Sequence, residues 1–194
     1  MYAIKLIMMN TNFLKRGITM VSIVQMILYD SYKIRDIDRS ETIELTYKLK
    51  HGVLEEIRTA HESPRWTEDI YLEIISRYEY ELTNGGMAFG AFNGDKLVGF
   101  GVLAHKFRGY DNDRLQIDLM YVTREYRRRG IGSLIMESLS TAAVEKGAKY
   151  LYISSTETES AVKFYTSHDS AITSEIDLEL FEKEPNDIHM LKKL

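Results

Sequence analysis

The order of patterned segments predicts an α+β fold, with a central mixed, mostly antiparallel sheet of about six to seven strands flanked by about four helices. Three observations carry this. Short apolar-polar alternations are bounded by turn residues, as half-buried strands require. Stretches with apolar residues at helical spacing interrupt them, most clearly Ile70, Tyr71, Ile74, Ile75, Tyr78 and Leu82. Asn93-Gly94, a favourable pair for a tight hairpin turn, stands between two apolar runs. With 194 residues, 44% hydrophobic and 28% charged, the chain can build one core without staples.

Taken in order, the regular patterning begins near Met26, so residues 1–25 are read as an N-terminal extension and residues 26–194 as a single domain. The apolar run Gly17 to Leu28 contains Thr19, Ser22 and Gln25 and is far shorter than the roughly 20 residues that cross a bilayer. Lys5, Lys15 and Arg16 precede it in the manner of a signal peptide, but no small-x-small cleavage site follows Leu28, so a cytoplasmic location is expected. Ile27 to Ile37 alternates loosely and is read as a strand. Asp38-Arg39-Ser40-Glu41 then has the form of a capping box, which predicts a first helix with Ile43, Tyr47, Leu54 and Ile57 as its stripe. After Ser63-Pro64 a second helix starts at Thr67.

Gly85-Gly86 ends the helical region. Met87 to Phe92 and Leu97 to His105 form the hairpin, and Leu115 to Val122 is a further strand. A helix follows from about Gly132 to Lys146, with Leu134, Ile135, Met136, Leu139, Ala142 and Ala143 buried and Gly147 placed to end it. Tyr150 to Ser154 is a short strand and Glu159 to His168 a short helix. Glu175 to Phe181 and His189 to Leu194 are read as the last two strands.

Composition removes several chemistries. The chain has no cysteine, hence no disulfide, thiolate metal site or cysteine nucleophile. Its five histidines, at 51, 61, 105, 168 and 189, show no ligand spacing, and no metal is expected. A formal net charge of −4 gives no global attraction to nucleic acid or anionic membrane, so neither is expected as a partner.

The local exception is Arg124 to Arg129. A strand running into Arg127-Arg128-Arg129-Gly130-Ile131-Gly132-Ser133 and then a helix gathers unpaired backbone N–H groups at the positive end of a helix dipole. Glycines at 130 and 132 let an anion approach the backbone, and the arginines add charge, so a phosphate or pyrophosphate is the expected ligand. A dinucleotide fingerprint would need a small residue where Ile135 stands, and a P-loop would need Gly-Lys-Ser/Thr, so both fail.

Met120-Tyr121-Val122 before this turn, the Arg-x-x-Gly-x-Gly core, the helix after it and Ser160-Ala161-Val162-Lys163-Phe164-Tyr165 resemble the GCN5-related N-acetyltransferase (GNAT) superfamily. The resemblance implies a GNAT-like sheet and acetyl-CoA, or coenzyme A, as cosubstrate. It implies that the turn Arg127 to Ser133 holds the pyrophosphate through backbone amides, that Met120 to Val122 pairs with the pantetheine arm, and that Tyr165 meets the departing thiolate. A homodimer is compatible with it. The chain departs from the family pattern at Arg124, where proline is usual, at Asp169-Ser170, where Gly-Phe is usual, and at Thr158-Glu159, where asparagine often precedes the helix.

The implied activity is N-acetyl transfer to a small-molecule or protein amine by direct attack in a ternary complex. The alternative is a non-catalytic acyl-CoA-binding module of the same fold. An alkylammonium has a pKa near roughly 10.4, so attack needs a base. Asp118 is the candidate, since even spacing aims it at the side of Met120 and Val122 unless a bulge intervenes. A backbone N–H near Met120 or Tyr121 is the candidate oxyanion donor. The segment His51 to Leu82, with Trp66, Tyr71, Tyr78, Glu68, Asp69 and Glu79, is read as a wall of the acceptor pocket.

Overall fold

A computed structural model describes residues 21–194. Seven strands form the central sheet in the order β1-β4-β5-β6-β7-β9-β8: β1 (Val21–Met26), β4 (Met87–Asn93), β5 (Lys96–Arg108), β6 (Arg114–Val122), β7 (Tyr150–Ser155), β9 (Ile188–Lys193) and β8 (Ser170–Ile172). Every neighbouring pair is antiparallel except β6 with β7. A parallel pair needs a crossover, and α2 (Ile131–Glu145) supplies it. The mixed, mostly antiparallel sheet is therefore as expected. The N-terminal extension expected over residues 1–25 divides: residues 21–25 belong to the edge strand β1, and residues 1–20 lie outside the described residues.

Two cores lie on opposite faces of the sheet. On one face, Ile131, Ile135 and Leu139 of α2 pack against the centre of β5, where the chain carries Gly99 and Gly101. A Cβ at Gly101 would sit 2.7 Å from Ile135 Cγ2 and 2.8 Å from Leu139 Cδ1, so only glycine lets α2 seat this closely. On the other face, Ile74 and Tyr78 of α1 (Glu68–Thr83) meet Phe100, Val102 and Leu119. Thr67 caps α1 by accepting the Ile70 N–H, as the sequence indicates.

Three expectations are overturned. Residues 27–37 form no strand. A 3-10 segment runs from Leu28 to Asp36, because Asp30 holds the Ile27 N–H at 2.9 Å and Asp36 holds the Leu97 N–H at 3.0 Å. The hydroxyls of Tyr78 and Tyr71 then take the carbonyls of Ile27 and Ile34. These tertiary bonds outweigh a weak alternation.

The first predicted helix is instead a separate hairpin, β2 (Glu41–Lys50) with β3 (Val53–Ser63). His51 and Gly52 both take positive φ, 49° and 79°, as a tight two-residue turn demands. Ile43, Leu45, Tyr47 and Leu49 alternate with period two, and the pair Ile43/Tyr47 fits either period. Asp38 caps no helix: its carboxylate accepts the Ser40 N–H at 3.0 Å and pairs with Arg65 at 2.7 Å.

Glu175 to Phe181 also forms no strand. Asp177 caps α4 (Leu178–Lys183) by accepting the Leu180 N–H, and the buried Arg108 pairs with Asp177 at 2.9 Å. The penultimate strand is β8, earlier in the chain. A smaller difference lies in the β4–β5 hairpin: Asn93 pairs with Lys96, so the loop is Gly94-Asp95, with Gly94 at φ 59°. Among the described residues no helix is long and apolar enough to cross a membrane.

Candidate active site

The site begins where the sheet opens. β6 and β7 pair only from Arg114/Tyr150 to Ile117/Ile153, yet β6 continues to Val122 and β7 to Ser155. Beyond Ile117 the two parallel strands separate, and among the described residues the β7-facing edge of Asp118 to Val122 has no neighbouring strand. A linear ligand with amide groups can lie along such an edge.

One end of this opening is the start of α2. Gly130 occupies the N-cap position at φ 81°, where any other residue would be strained, and no side chain caps the helix. The first intrahelical bond runs from Leu134 N–H to Gly130 C=O, leaving the amides of Ile131, Gly132 and Ser133 without a partner in the helix. Arg128 and Arg129 are exposed beside them, with Arg129 stacked over Tyr126 at 5.2 Å. Backbone donors, a helix dipole and two free guanidinium groups suit a pyrophosphate. Arg127 has other work: it donates to the carbonyls of Val122 (3.0 Å) and Arg39 (2.8 Å) and faces Glu41 at 3.4 Å.

Gly132 serves the site in a way beyond the sequence reading. A Cβ there would lie 2.9 Å from the Phe164 ring, so this glycine also lets α3 (Glu159–Thr166) seat against α2. The Ser133 hydroxyl and His168 Nε2, 2.8 Å apart, make a second link. His168 Nδ1 must donate to the Phe164 carbonyl at 2.8 Å, so in the neutral ring Nε2 accepts from Ser133.

β2 runs along the opening. Glu41 faces Arg127 and Thr42 faces Arg124 at the α2 end. At the other end Thr46 bridges to Thr158, and Tyr47 N–H donates to the Glu157 carbonyl at 2.7 Å. Thr158 caps α3, taking the place of the missing asparagine. Asp169 adopts φ 61°, the left-handed conformation for which the family's glycine would be suited.

Asp118 does not share a face with Met120 and Val122. Val102 pairs with Leu119 while Leu103 pairs with Ile117, so Asp118 is the extra residue of a β-bulge. The parity of β6 changes there: Leu115 and Ile117, then Met120 and Val122, all face α2, whereas Leu119 and Tyr121 face α1. Arg77 of α1 holds both the Asp118 carboxylate (2.9 Å) and its carbonyl (3.1 Å).

Tyr121 stacks edge-on against Trp66 at 4.8 Å and tilts over Phe100 at 5.8 Å. Of the acceptor wall read from the sequence, Trp66 thus reaches the opening. Tyr78 is fully buried, Tyr71 bonds Ile34, and Glu68 pairs with Arg35.

Tyr165 is buried on α3, and burial raises its hydroxyl pKa above the ordinary tyrosine value, with the Tyr121 phenol and the Asp187 carboxylate adding to the rise. Asp187 lies between α4 and β9 and receives the Ser154 hydroxyl at 2.8 Å, at the free end of β7. Its carboxyl is pushed up to about 6, chiefly by burial and further by Glu184 and Glu157, against the opposing Ser154 bond and Arg77. Asp187 and Arg77 are the polar groups that sequence reasoning missed. Pro185-Asn186-Asp187 reads only as a turn, and nothing in the spacing of Arg77 marks it as a partner of Asp118.

A model of the acetyltransferase (GNAT) family matches residues 51–169. No protein of curated function matches. Among solved structures the fold is similar to nourseothricin acetyltransferase, at 19% identity over 88% of this chain and 95% of that one, with a TM-score of 0.63. A putative streptothricin acetyltransferase from Bacillus anthracis str. Ames in complex with acetyl coenzyme A gives 16%, 88%, 95% and 0.65. The PaiA N-acetyltransferase from Thermoplasma acidophilum in complex with coenzyme A gives 16%, 90%, 99% and 0.59.

Proposed function

Because this chain belongs to the GNAT acetyltransferase family, we propose that it transfers the acetyl group of acetyl-CoA to an amine by direct attack in a ternary complex. The observation that carries the reading is the succession of two features along the chain. The unpaired end of β6 is followed by the uncapped start of α2, and Tyr121 on that strand, like Asp187, acts on Tyr165. The similar structures bound to acetyl coenzyme A or coenzyme A support the choice of cosubstrate.

In this reading the amides of Ile131, Gly132 and Ser133, with Arg128 and Arg129, hold the pyrophosphate. Met120 to Val122 lie along the pantetheine arm, and a backbone N–H of this strand meets the thioester oxygen as charge develops on it. Tyr165 donates a hydrogen bond to the departing thiolate. The thiolate of a thiol with pKa roughly 8.5 is a weaker base than phenolate, so full transfer from a phenol whose pKa is raised is uphill and the hydrogen bond is the larger part of the role. With no cysteine in the chain, no acetyl-cysteine intermediate arises.

Two measurements test this. Acetyl-CoA at a hundredfold excess over its Kd should stabilise the fold by about 2.7 kcal/mol, with NADH and ATP doing much less. Thiol release from acetyl-CoA should then appear with some member of an amine panel that includes nourseothricin. Equal stabilisation by all three nucleotides would reduce the α2 turn to a general polyphosphate site. Coenzyme A binding without thiol release would favour the non-catalytic module.

A further inference from the structure

We propose that Asp187 receives the acceptor amine as its ammonium form and takes its proton, so that the acceptor is a cation; this rests on the acetyl-transfer reading above. Position comes first. Asp187 is fixed by the Ser154 hydroxyl at 2.8 Å, just where β7 has parted from β6. Ile188, the first residue of β9, packs in the α2 core, and Asp187 just before it bonds Ser154, which alternates with the α2-core residue Ile153, so Asp187 lies on the sheet face opposite α2. Tyr121 lies on that face, and Tyr165 is close enough to feel both Tyr121 and Asp187. Tyr165 belongs to the α2-side core, so the carboxylate and the proposed thiolate partner approach the gap between β6 and β7 from opposite faces of the sheet.

Competition comes second. Asp118, the other carboxylate at the gap, is held at side chain and backbone by Arg77. That ion pair is neutral as a unit. The groups facing Asp187 are Arg77 from α1, Ser154 from β7, Glu157 from the β7–α3 loop, Tyr165 from α3 and Glu184 from the segment before β9. Arg77 acts on Asp187 as a positive charge, but it is also engaged by Asp118, and against it stand the negative charges of Glu157 and Glu184, which favour an ammonium group.

The chemistry follows from the balance of protons. The ammonium gives one proton to the Asp187 carboxylate. The freed nitrogen lone pair forms the C–N bond, and the C–S bond breaks with its electrons on sulfur. The nitrogen's second proton passes through water to that sulfur, to which the Tyr165 hydroxyl donates a hydrogen bond as the sulfur departs, and Asp187 later releases its proton to solvent. Burial brings the Asp187 carboxyl about two pH units nearer to the amine than an ordinary aspartate, which lowers the gap in proton affinity by a factor of about 100.

The test uses the full chain and Asp187→Asn, which keeps shape and removes charge. Binding of spermidine and of Nα-acetyl-lysine amide is measured by calorimetry with coenzyme A present. The wild type should bind both and lose affinity as the pH falls through about 6, whereas the variant should bind at least tenfold more weakly with no such dependence. Coenzyme A should stabilise both proteins equally, which checks the fold of the variant. Ser154→Ala removes a bond that favours the charged carboxylate and should move the pH midpoint upward. A wild type that binds neither cation, or a folded Asp187→Asn that binds them as tightly as wild type, would overturn the proposal. Asp187-dependent binding with no thiol release would leave the amine site standing and sink the transfer reading. Normal thiol release by the variant would do the reverse.

Discussion

The two ends of the cleft are built in different ways. The start of α2 is local: seven consecutive residues, Arg127 to Ser133, supply the turn, the left-handed glycine and the free amides, and Gly99 and Gly101 only have to let the helix seat. The acceptor end is assembled from far apart. Trp66 follows β3, Arg77 sits on α1, Asp118 and Tyr121 on β6, Ser154 on β7, Tyr165 on α3 and Asp187 before β9. A site made by one turn survives drift elsewhere in the chain, whereas a site made by six segments changes when any of them shifts. Under the proposed acetyl-transfer reading, the cosubstrate end would be the fixed half and the acceptor end the adjustable one.

The sharpest way to break this contrast is to unseat α2. Gly101→Val would drive side-chain atoms into Ile135 and Leu139, already within 2.8 Å of an ideal Cβ, and should cost about 3 kcal/mol or more. Denaturation midpoints should fall, and coenzyme A affinity should fall with them, because the amide cradle moves with the helix. A stable Gly101→Val protein with unchanged affinity would show that the cradle does not depend on the seat.

Tyr165→Phe probes the acceptor end with less disturbance. The ring and its edge contact with Phe164 remain, so stability and coenzyme A affinity should stay nearly constant. Turnover should drop by roughly 10²–10³-fold if the hydroxyl meets the thiolate. A fall of less than about threefold in single-turnover thiol release would leave Tyr165 as a packing residue only.

The smallest effect concerns the tie between the two ends. Asp38 holds Ser40 and Arg65, and its own backbone bonds Thr123 and Arg124 beside the α2 turn. Burial raises its pKa, but the Ser40 and Arg65 contacts outweigh this and hold the carboxyl down to about 2. A depressed carboxylate pKa contributes stability that is present above the unfolded value near 3.9 and lost as the pH falls through about 2. Asp38→Asn should cost about 1–2 kcal/mol at pH 7. The difference between wild-type and variant Tm should shrink as the pH is lowered from 4 to 2. A constant difference would mean that the charge of Asp38 contributes nothing.

How far the sequence discloses each half follows the same division. The α2 turn is visible because its chemistry lies in consecutive residues, and α1 is visible because Thr67 and a long apolar stripe agree. Residues 41–63 mislead because Ile43 and Tyr47 satisfy both periods, and only the His51-Gly52 turn decides between them. The 3-10 segment is held by Asp30, Asp36, Tyr71 and Tyr78, partners that no local pattern can reveal. Counting in twos misplaces Asp118, because that rule holds only while the ladder is regular. Asp187 owes its environment to burial beside Ser154, Glu157 and Glu184, which become neighbours only after β9 inserts beside β7.

The bulge in β6 has a consequence for how this strand can vary. One extra residue gives it two reading frames, Leu115 and Ile117 in one and Met120 and Val122 in the other, both of which deliver side chains to the same layer. Deleting Asp118 would leave Ile117, Leu119, Met120, Tyr121 and Val122 in regular alternation, with Ile117, Met120 and Val122 still facing α2, and would remove the carboxylate and carbonyl that Arg77 holds. The strand could therefore lose residue 118 and stay in frame; what it would lose is the ability to point two consecutive side chains, Asp118 and Leu119, at the α1 layer, which a regular strand cannot do.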